Sequence, residues 1–74
     1  MTEEQKNEQR MRIGQQIAAV RKRRGMTQQD LADRCGIQRA HIARIETGRY
    51  GFSIDTLTNI CDSMGAHCEL IDNK

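Results

Sequence analysis

Proline and tryptophan are absent from this chain of 74 residues, which has one tyrosine and one phenylalanine. A core made from such residues is mainly aliphatic, and a chain this short is near the lower limit for a stable independent domain. No apolar run approaches the roughly 20 residues that span a bilayer. The first residues are polar and of mixed charge, unlike a secretory signal. We therefore expect one small cytoplasmic domain without a membrane segment.

The chain also lacks the cysteine pattern of a zinc site or a disulfide framework. Its three cysteines, Cys35, Cys61 and Cys68, include no CxxC pair, and an odd number cannot pair completely. His67 and Cys68 could join Cys61 around a metal ion, but neighbours on a strand point to opposite faces, which is poor geometry for a shared site. The cysteines are expected to be small buried apolar residues, and no metal or other cofactor is predicted.

Positive charge is concentrated in the first two thirds of the chain. Residues 1–50 contain eleven Lys and Arg against six Asp and Glu, whereas residues 51–74 contain one Lys against four acidic residues. The basic part includes the run RKRR at residues 21–24. Such segregation is typical of proteins that bind a polyanion. The alternative is a solvated helix end, where the helix dipole favours cations in any case, and charge alone leaves both interpretations open.

Apolar spacing predicts an all-α fold of four helices. Ile13, Ile17 and Val20 recur at helical intervals and define helix one. Residues 1–10 are polar and are expected to be flexible or to extend that helix. The folded domain is expected to cover residues 11–65.

Two short helices joined by a turn that contains a glycine come next. Thr27 can cap the first of them, and Asp30 stands at the capping-box position three residues later. Gly36 ends this helix, and the next one is predicted from about residue 38 to residue 47, before Gly48. Two short helices with a connecting turn of three or four residues form a helix-turn-helix arrangement.

The fourth helix and the tail differ in period. Ser53 can cap a helix that ends before Gly65. Its apolar stripe consists of Ile54, Leu57, Ile60, Cys61 and Met64. In the tail, residues 66–74, Ala66, Cys68 and Leu70 alternate with His67, Glu69 and Ile71, which indicates a β-strand.

A lone strand has unpaired backbone groups on both edges, so the tail is expected to pair with its own copy in a two-fold homodimer. The residues assigned to this contact are Cys68, Leu70 and Ile71. The alternative is a disordered or helical end.

The third helix has a cationic outer face. Ile42 and Ile45 point to the core. At about 100° per residue, Arg39, Ala40 and Arg44 lie on the opposite side. Its first two turns lack the Glu–Lys pairs common on helices that merely face solvent. Because an α-helix fits the DNA major groove, where Arg pairs with guanine and a small residue contacts the thymine methyl, this face predicts double-stranded DNA as the partner.

Three motifs carry a family resemblance: GMTQQDLA at residues 25–32, the Gly36-Ile37 turn, and IARIETG at residues 42–48. With them, the segment from Ile13 to Gly65 resembles the lambda-repressor/Cro-like helix-turn-helix family of bacterial and phage regulators, the xenobiotic-response-element type. The resemblance covers most of the chain. It implies a compact four-helix domain that binds DNA without a cofactor.

The resemblance also implies a division of DNA contacts. The residues expected at bases or adjoining phosphates are Gln38, Arg39, Ala40 and Arg44. The phosphate contacts that it implies are Gln28 and Arg49. Thr27 is a further phosphate candidate, since free N–H groups at helix N-termini favour phosphate, and His41 is another, with a solvated position as the alternative. The family's usual Asn and Pro are replaced by Thr47 and Phe52, which alters the loop between them. Arg21 is expected to be partly structural and to pair with an acid such as Glu46.

The predicted function is a sequence-specific transcription regulator, a repressor that binds a palindromic operator as a homodimer. The alternative is an antitoxin that regulates its own operon and binds a protein toxin, because the predicted tail is similar to the C-terminal strands of antitoxins from kinase-type toxin–antitoxin pairs. No Ser/His/Asp, Cys/His or paired-carboxylate set has a spacing that would assemble a catalytic site. An enzyme is therefore not expected.

Overall fold

A computed structural model describes residues 1–73 of the chain. These residues fold into four helices: α1 (Glu3–Arg23), α2 (Gln28–Cys35), α3 (Arg39–Thr47) and α4 (Ile54–Ser63). The all-α, four-helix class expected from the sequence is confirmed. Within residues 1–73, every helix is too short or too polar to cross a membrane.

The first two helices both start at a capping box. Thr2 Oγ1 accepts from Gln5 N–H at 3.1 Å, and Gln5 Oε1 accepts from Thr2 N–H at 2.9 Å. Helix α1 therefore begins at Glu3, and the N-terminal residues extend that helix. At α2, Thr27 and Asp30 exchange the same pair of bonds at 3.0 and 2.9 Å. Both boxes satisfy N–H groups that the helix itself leaves without acceptors.

The core lies where the four helices meet. Its buried members are Ile17, Met26, Leu31, Ala32, Ile42, Ile45, Leu57, Ile60, Cys61 and Met64. The expectation for Ile54 is wrong, because 68% of this residue is exposed. Ile54 is the first residue of α4, and helical side chains lean towards the N-terminus. Its side chain therefore projects past the end of the helix, where it lines an open groove.

Helices α1 and α3 approach each other closely at Gly14. A Cβ atom at this position would collide with the carbonyl oxygen of Ile45 and would lie 2.6 Å from that of Glu46. Glycine in a helix interior costs up to about 1 kcal/mol relative to alanine. The absence of a side chain here lets α3 rest directly on α1, which fixes the position of α3.

The strand expected for the tail is not present in residues 66–73, which form neither helix nor strand. Strands are defined by hydrogen bonds to a neighbouring strand, and the single all-α chain offers none to pair with. Residue 74, the last of the predicted strand or tail segment, lies outside the described residues. Leu70 and Ile71 are 101% and 80% exposed, so neither packs into this chain's core.

Candidate nucleic-acid interface

The two faces of α3 are sharply divided. Ile42 and Ile45 have no solvent-accessible surface, whereas Arg39, Ala40 and Arg44 are exposed. The orientation expected from helical periodicity is thus confirmed. Because the inner face is fully packed, the outer side chains are presented to solvent at a fixed angle.

The N-terminal end of α3 is open. Gln38 is its N-cap, but the side chain makes no capping hydrogen bond, and the first turn contains no acidic residue. The first backbone N–H groups of a helix have no acceptor within it, and the helix dipole adds positive potential there. This end can therefore receive an anion such as phosphate, with the exposed Gln38 amide beside it.

A buried ion pair joins α1 to α3. Arg21 Nε donates to Glu46 Oε2 at 2.7 Å, and Arg21 Nη2 donates to Glu46 Oε1 at 3.0 Å. Arg21 Nη1 also donates to the backbone oxygen of Met26 at 2.8 Å. The hydrogen bond with Glu46 raises the pKa of Arg21 above its ordinary value, although burial opposes the shift. The pairing expected between Arg21 and Glu46 is confirmed, and it is a bidentate contact.

The same carboxylate orients Gln28 of α2. Gln28 Nε2 donates to Glu46 Oε1 at 3.0 Å. Because a carboxylate can only accept, the amide nitrogen must face Glu46, and the amide oxygen must point outward. That oxygen accepts from Arg39 Nη1 at 3.3 Å. Sequence reasoning assigned Gln28 to phosphate alone and missed this link, which holds the Arg39 guanidinium beside the N-terminus of α2.

Thr27 is engaged in the α2 cap rather than standing free. Its Oγ1 accepts the Asp30 N–H, and its hydroxyl is also the side-chain donor to the Asp30 carboxylate. Hydrogen bonds from the backbone and side chain of Thr27 lower the pKa of Asp30. Asp30 therefore stays ionised at neutral pH and fixes the exposed start of α2.

His41 and Arg49 lie in different environments. The His41 ring meets the Tyr50 ring edge to face, with centroids 5.1 Å apart. Its Nε2 is buried without a hydrogen-bond partner, so in this arrangement that nitrogen does not reach solvent. Arg49 is exposed just after the Gly48 cap. Of these two residues, both predicted to contact phosphate, Arg49 is accessible and His41 is partly enclosed.

Two glycines position α3 against α1, although neither belongs to the exposed outer face of α3. Gly14 sets the α1–α3 contact, and Gly48 ends α3 with φ +76°, where a Cβ would lie 2.7 Å from the Cα of Met11. The expected helix stop at Gly48 is confirmed, but the close approach of α1 was not foreseen. The sequence offered one signal of it, namely Gly14 within the apolar stripe of α1, because a glycine inside a helical pattern often has a packing reason.

This chain is similar in sequence to a helix-turn-helix domain family, to a phage repressor and to a transcriptional regulator. The profile of the helix-turn-helix domain family matches residues 12–73. The immunity repressor protein of Bacillus phage phi105 is 38% identical over 61 residues, which are 82% of this chain and 42% of the repressor. The uncharacterized HTH-type transcriptional regulator y4dJ of Sinorhizobium fredii is 28% identical over 60 residues, covering 80% of this chain and 78% of that protein. This chain thus spans less than half of the phage repressor.

Solved structures of two regulators are similar to this fold. The clp gene regulator ClgR from C. glutamicum superimposes with a TM-score of 0.76 at 26% identity, covering 77% of this chain and 73% of that chain. The restriction-modification controller protein C.AhdI from Aeromonas hydrophila gives a TM-score of 0.77 at 20% identity, covering 80% of this chain and 89% of that chain. At such low identity the second comparison shows a shared fold alone.

Proposed function

Because the chain belongs to the helix-turn-helix family of DNA-binding transcription regulators, we propose that it is a sequence-specific repressor that reads double-stranded DNA with the outer face of α3. The observation that carries this proposal is the exposure of Arg39, Ala40 and Arg44 opposite two isoleucines without accessible surface. A helix with cations and a small residue outward, on a fully packed base, suits insertion into the major groove.

Each base-contacting residue has a distinct role in the proposal. Arg44 donates to the O6 and N7 atoms of a guanine, and Ala40 contacts a thymine methyl group. Arg39 is held at its Nη1 by Gln28, so its other guanidinium N–H groups face the DNA. Gln38 at the α3 N-cap donates to a base or to the adjoining phosphate.

Phosphate contacts surround this centre and fix the register of the protein on the duplex. Thr27 turns its hydroxyl hydrogen from the Asp30 carboxylate to a phosphate, Gln28 donates its second amide hydrogen, and Arg49 donates its guanidinium N–H groups. His41 joins them only if its ring turns away from Tyr50 and exposes the buried Nε2. These groups carry affinity rather than sequence information.

The test of sequence-specific binding is selection of bound sequences from random double-stranded DNA at physiological salt. The proposal expects one enriched motif, and affinity for it should fall with salt. If each subunit of a dimer neutralises three or four phosphates, log K should fall against log[salt] with a slope of about −6. Binding without any enriched motif would leave only non-specific association and would refute the repressor assignment.

We further propose that the protein binds a palindromic operator as a homodimer through its tail. Support comes from an open groove lined by α1, α4 and the tail, beside which Ile54, Leu70 and Ile71 expose 68%, 101% and 80% of their surface. The tails of two copies would pair as strands, which supplies the hydrogen-bond partner that a single chain lacks. Two recognition helices about 34 Å apart would then read half-sites one turn apart.

Light scattering tests the dimer. Deleting residues 66–74 should give a monomer with weaker operator binding, and replacing both Leu70 and Ile71 by aspartate should do the same while keeping the chain length. An unchanged dimer in both variants would contradict the proposed interface. Co-purification of a second, different protein on this surface would instead favour the antitoxin alternative.

A further inference from the structure

Two of the three cysteine thiols lie against each other at the C-terminal end of α4. Cys61 Sγ and Cys68 Sγ are 3.2 Å apart, and both are free thiols. Cys61 is in the last turn of α4 and is 7% exposed, as expected of a buried cysteine. For Cys68 that expectation is wrong, because it lies in the tail outside the core and is exposed. A buried thiol and an accessible one therefore form a directly contacting pair.

The backbone around Gly65 brings this pair together. Gly65 has φ +69°, a left-handed conformation that reverses the chain after a helix. Across this turn, Ala66 N–H donates to the Cys61 carbonyl oxygen at 2.8 Å. Arg24 at the end of α1 also donates to the Gly65 carbonyl oxygen at 3.4 Å. The thiol contact thus follows from a helix cap whose hydrogen bonds hold the turn in place.

The two thiols differ in reactivity. Burial, with the hydrogen bond to Cys68 as a second cause, raises the pKa of Cys61 to about 12. Cys61 is consequently a protonated thiol at neutral pH, and its sulfur is shielded from solvent. An oxidant arriving from solvent meets Cys68 first, and a second thiol is already in contact to complete the reaction.

We propose that Cys61 and Cys68 form an oxidative modification site, in which a hydroperoxide converts the two thiols into an intramolecular disulfide that ties the tail to α4. The sulfur atoms need to approach by only about 1.2 Å to reach disulfide bonding distance. This site does not depend on the proposed DNA-binding function. It uses the Cys68 thiol where it contacts Cys61 of the same chain, so the tail pairing proposed for the dimer is not required for it.

The reaction balances with hydrogen peroxide as the oxidant. Cys68 loses its proton, and the thiolate sulfur attacks one peroxide oxygen. An S–O bond forms, the O–O bond breaks, and the released hydroxide takes up the lost proton as water. The Cys61 sulfur then attacks the Cys68 sulfur, so that the S–S bond forms and the S–O bond breaks. The departing hydroxide takes the Cys61 proton as a second water, and two electrons have passed from the thiols to the peroxide.

The test treats the reduced full chain with hydrogen peroxide, blocks the remaining thiols with an alkylating agent and measures intact and peptide masses. We expect a chain of monomer size that has lost two hydrogens and carries one alkylated cysteine at Cys35, and reduction with dithiothreitol should then release two further alkylatable thiols. The variant Cys35→Ala is the matched control and should form the same disulfide.

Single variants separate the two steps. Cys68→Ala should lose the disulfide completely, and because Cys68 is exposed this change leaves the core intact. Cys61→Ala should stop at the sulfenic acid of Cys68, which dimedone traps. The proposal is overturned if wild-type protein keeps three free thiols under peroxide that oxidises glutathione, if Cys68 proceeds to sulfinic acid, or if its disulfide joins two chains instead.

Discussion

Helix α3 is fixed to the domain by a backbone contact at Gly14 and a buried ion pair, whereas the tail after Gly65 is anchored by the Ala66–Cys61 backbone bond and a thiol contact. The packed side of α3 has fully inaccessible isoleucines, while Leu70 and Ile71 in the tail are almost completely exposed. A surface that reads base edges has to be rigid. Apolar groups without an internal partner suit association with another molecule. The difference is therefore consistent with the proposal that α3 reads DNA while the tail binds a second copy.

The largest expected difference in stability is between variants that break the buried ion pair and variants that break an exposed one. Glu46→Ala would leave the Arg21 charge buried without its acceptor, and should lower the free energy of unfolding by about 3–5 kcal/mol. The exposed pair of Lys6 and Glu3, 3.7 Å apart, is the control. Glu3→Ala should change stability by less than about 1 kcal/mol. Urea denaturation measures both, and similar losses would show that the buried pair does not hold the recognition helix.

An intermediate difference in stability is expected between the alanine variants of two glycines that have almost the same backbone conformation. Gly48 and Gly65 have φ values of +76° and +69°, but only a Cβ at Gly48 meets another residue, Met11. Gly65→Ala should cost about 1–2 kcal/mol, the penalty of the left-handed conformation. Gly48→Ala should cost a further 1–3 kcal/mol or so from overpacking. Equal melting-temperature decreases in the two variants would contradict the close α1–α3 packing.

The smallest effect is a pH dependence at the start of α2. The folded-state pKa of Asp30 is lowered from its ordinary value of 3.8, so its contribution to stability is present above that value and is lost as pH falls through the folded pKa. The stability difference between wild type and Asp30→Ala should therefore become smaller in acid. Ser53, which caps α4, does not titrate. Ser53→Ala should cost about 1 kcal/mol equally at neutral and acidic pH, and denaturation at several pH values distinguishes the two caps.

Local chemistry accounts for what the sequence predicted well. Helix ends followed from short signals such as the Thr27–Asp30 box and the glycine at residue 48, because these groups act within one turn. Helical period alone assigned Arg39 and Arg44 to the face opposite the core. The same reasoning failed for Ile54, where a helix end leaves an apolar residue uncovered.

Contacts between distant segments were harder to predict. The approach of Gly14 to the carbonyl groups of α3 depends on how two helices cross, which no local pattern specifies. The link from Glu46 through Gln28 to Arg39 needs three helices in place at once. The prediction of a tail strand was wrong for a related reason, since a strand requires a partner strand and the periodicity of the sequence does not supply one. DNA contacts of individual residues remain predictions.

The central claim, that Arg44 on α3 reads a base, is tested most directly by repeating the DNA selection with two arginine variants. Arg34 and Arg44 are both exposed, but Arg34 lies on α2 and is not among the predicted contacts. Arg34→Ala should enrich the wild-type motif, whereas Arg44→Ala should lose about 1–3 kcal/mol of discrimination at one base position of each half-site. Enrichment of the unchanged motif by Arg44→Ala, with undiminished preference at every position, would contradict the claim.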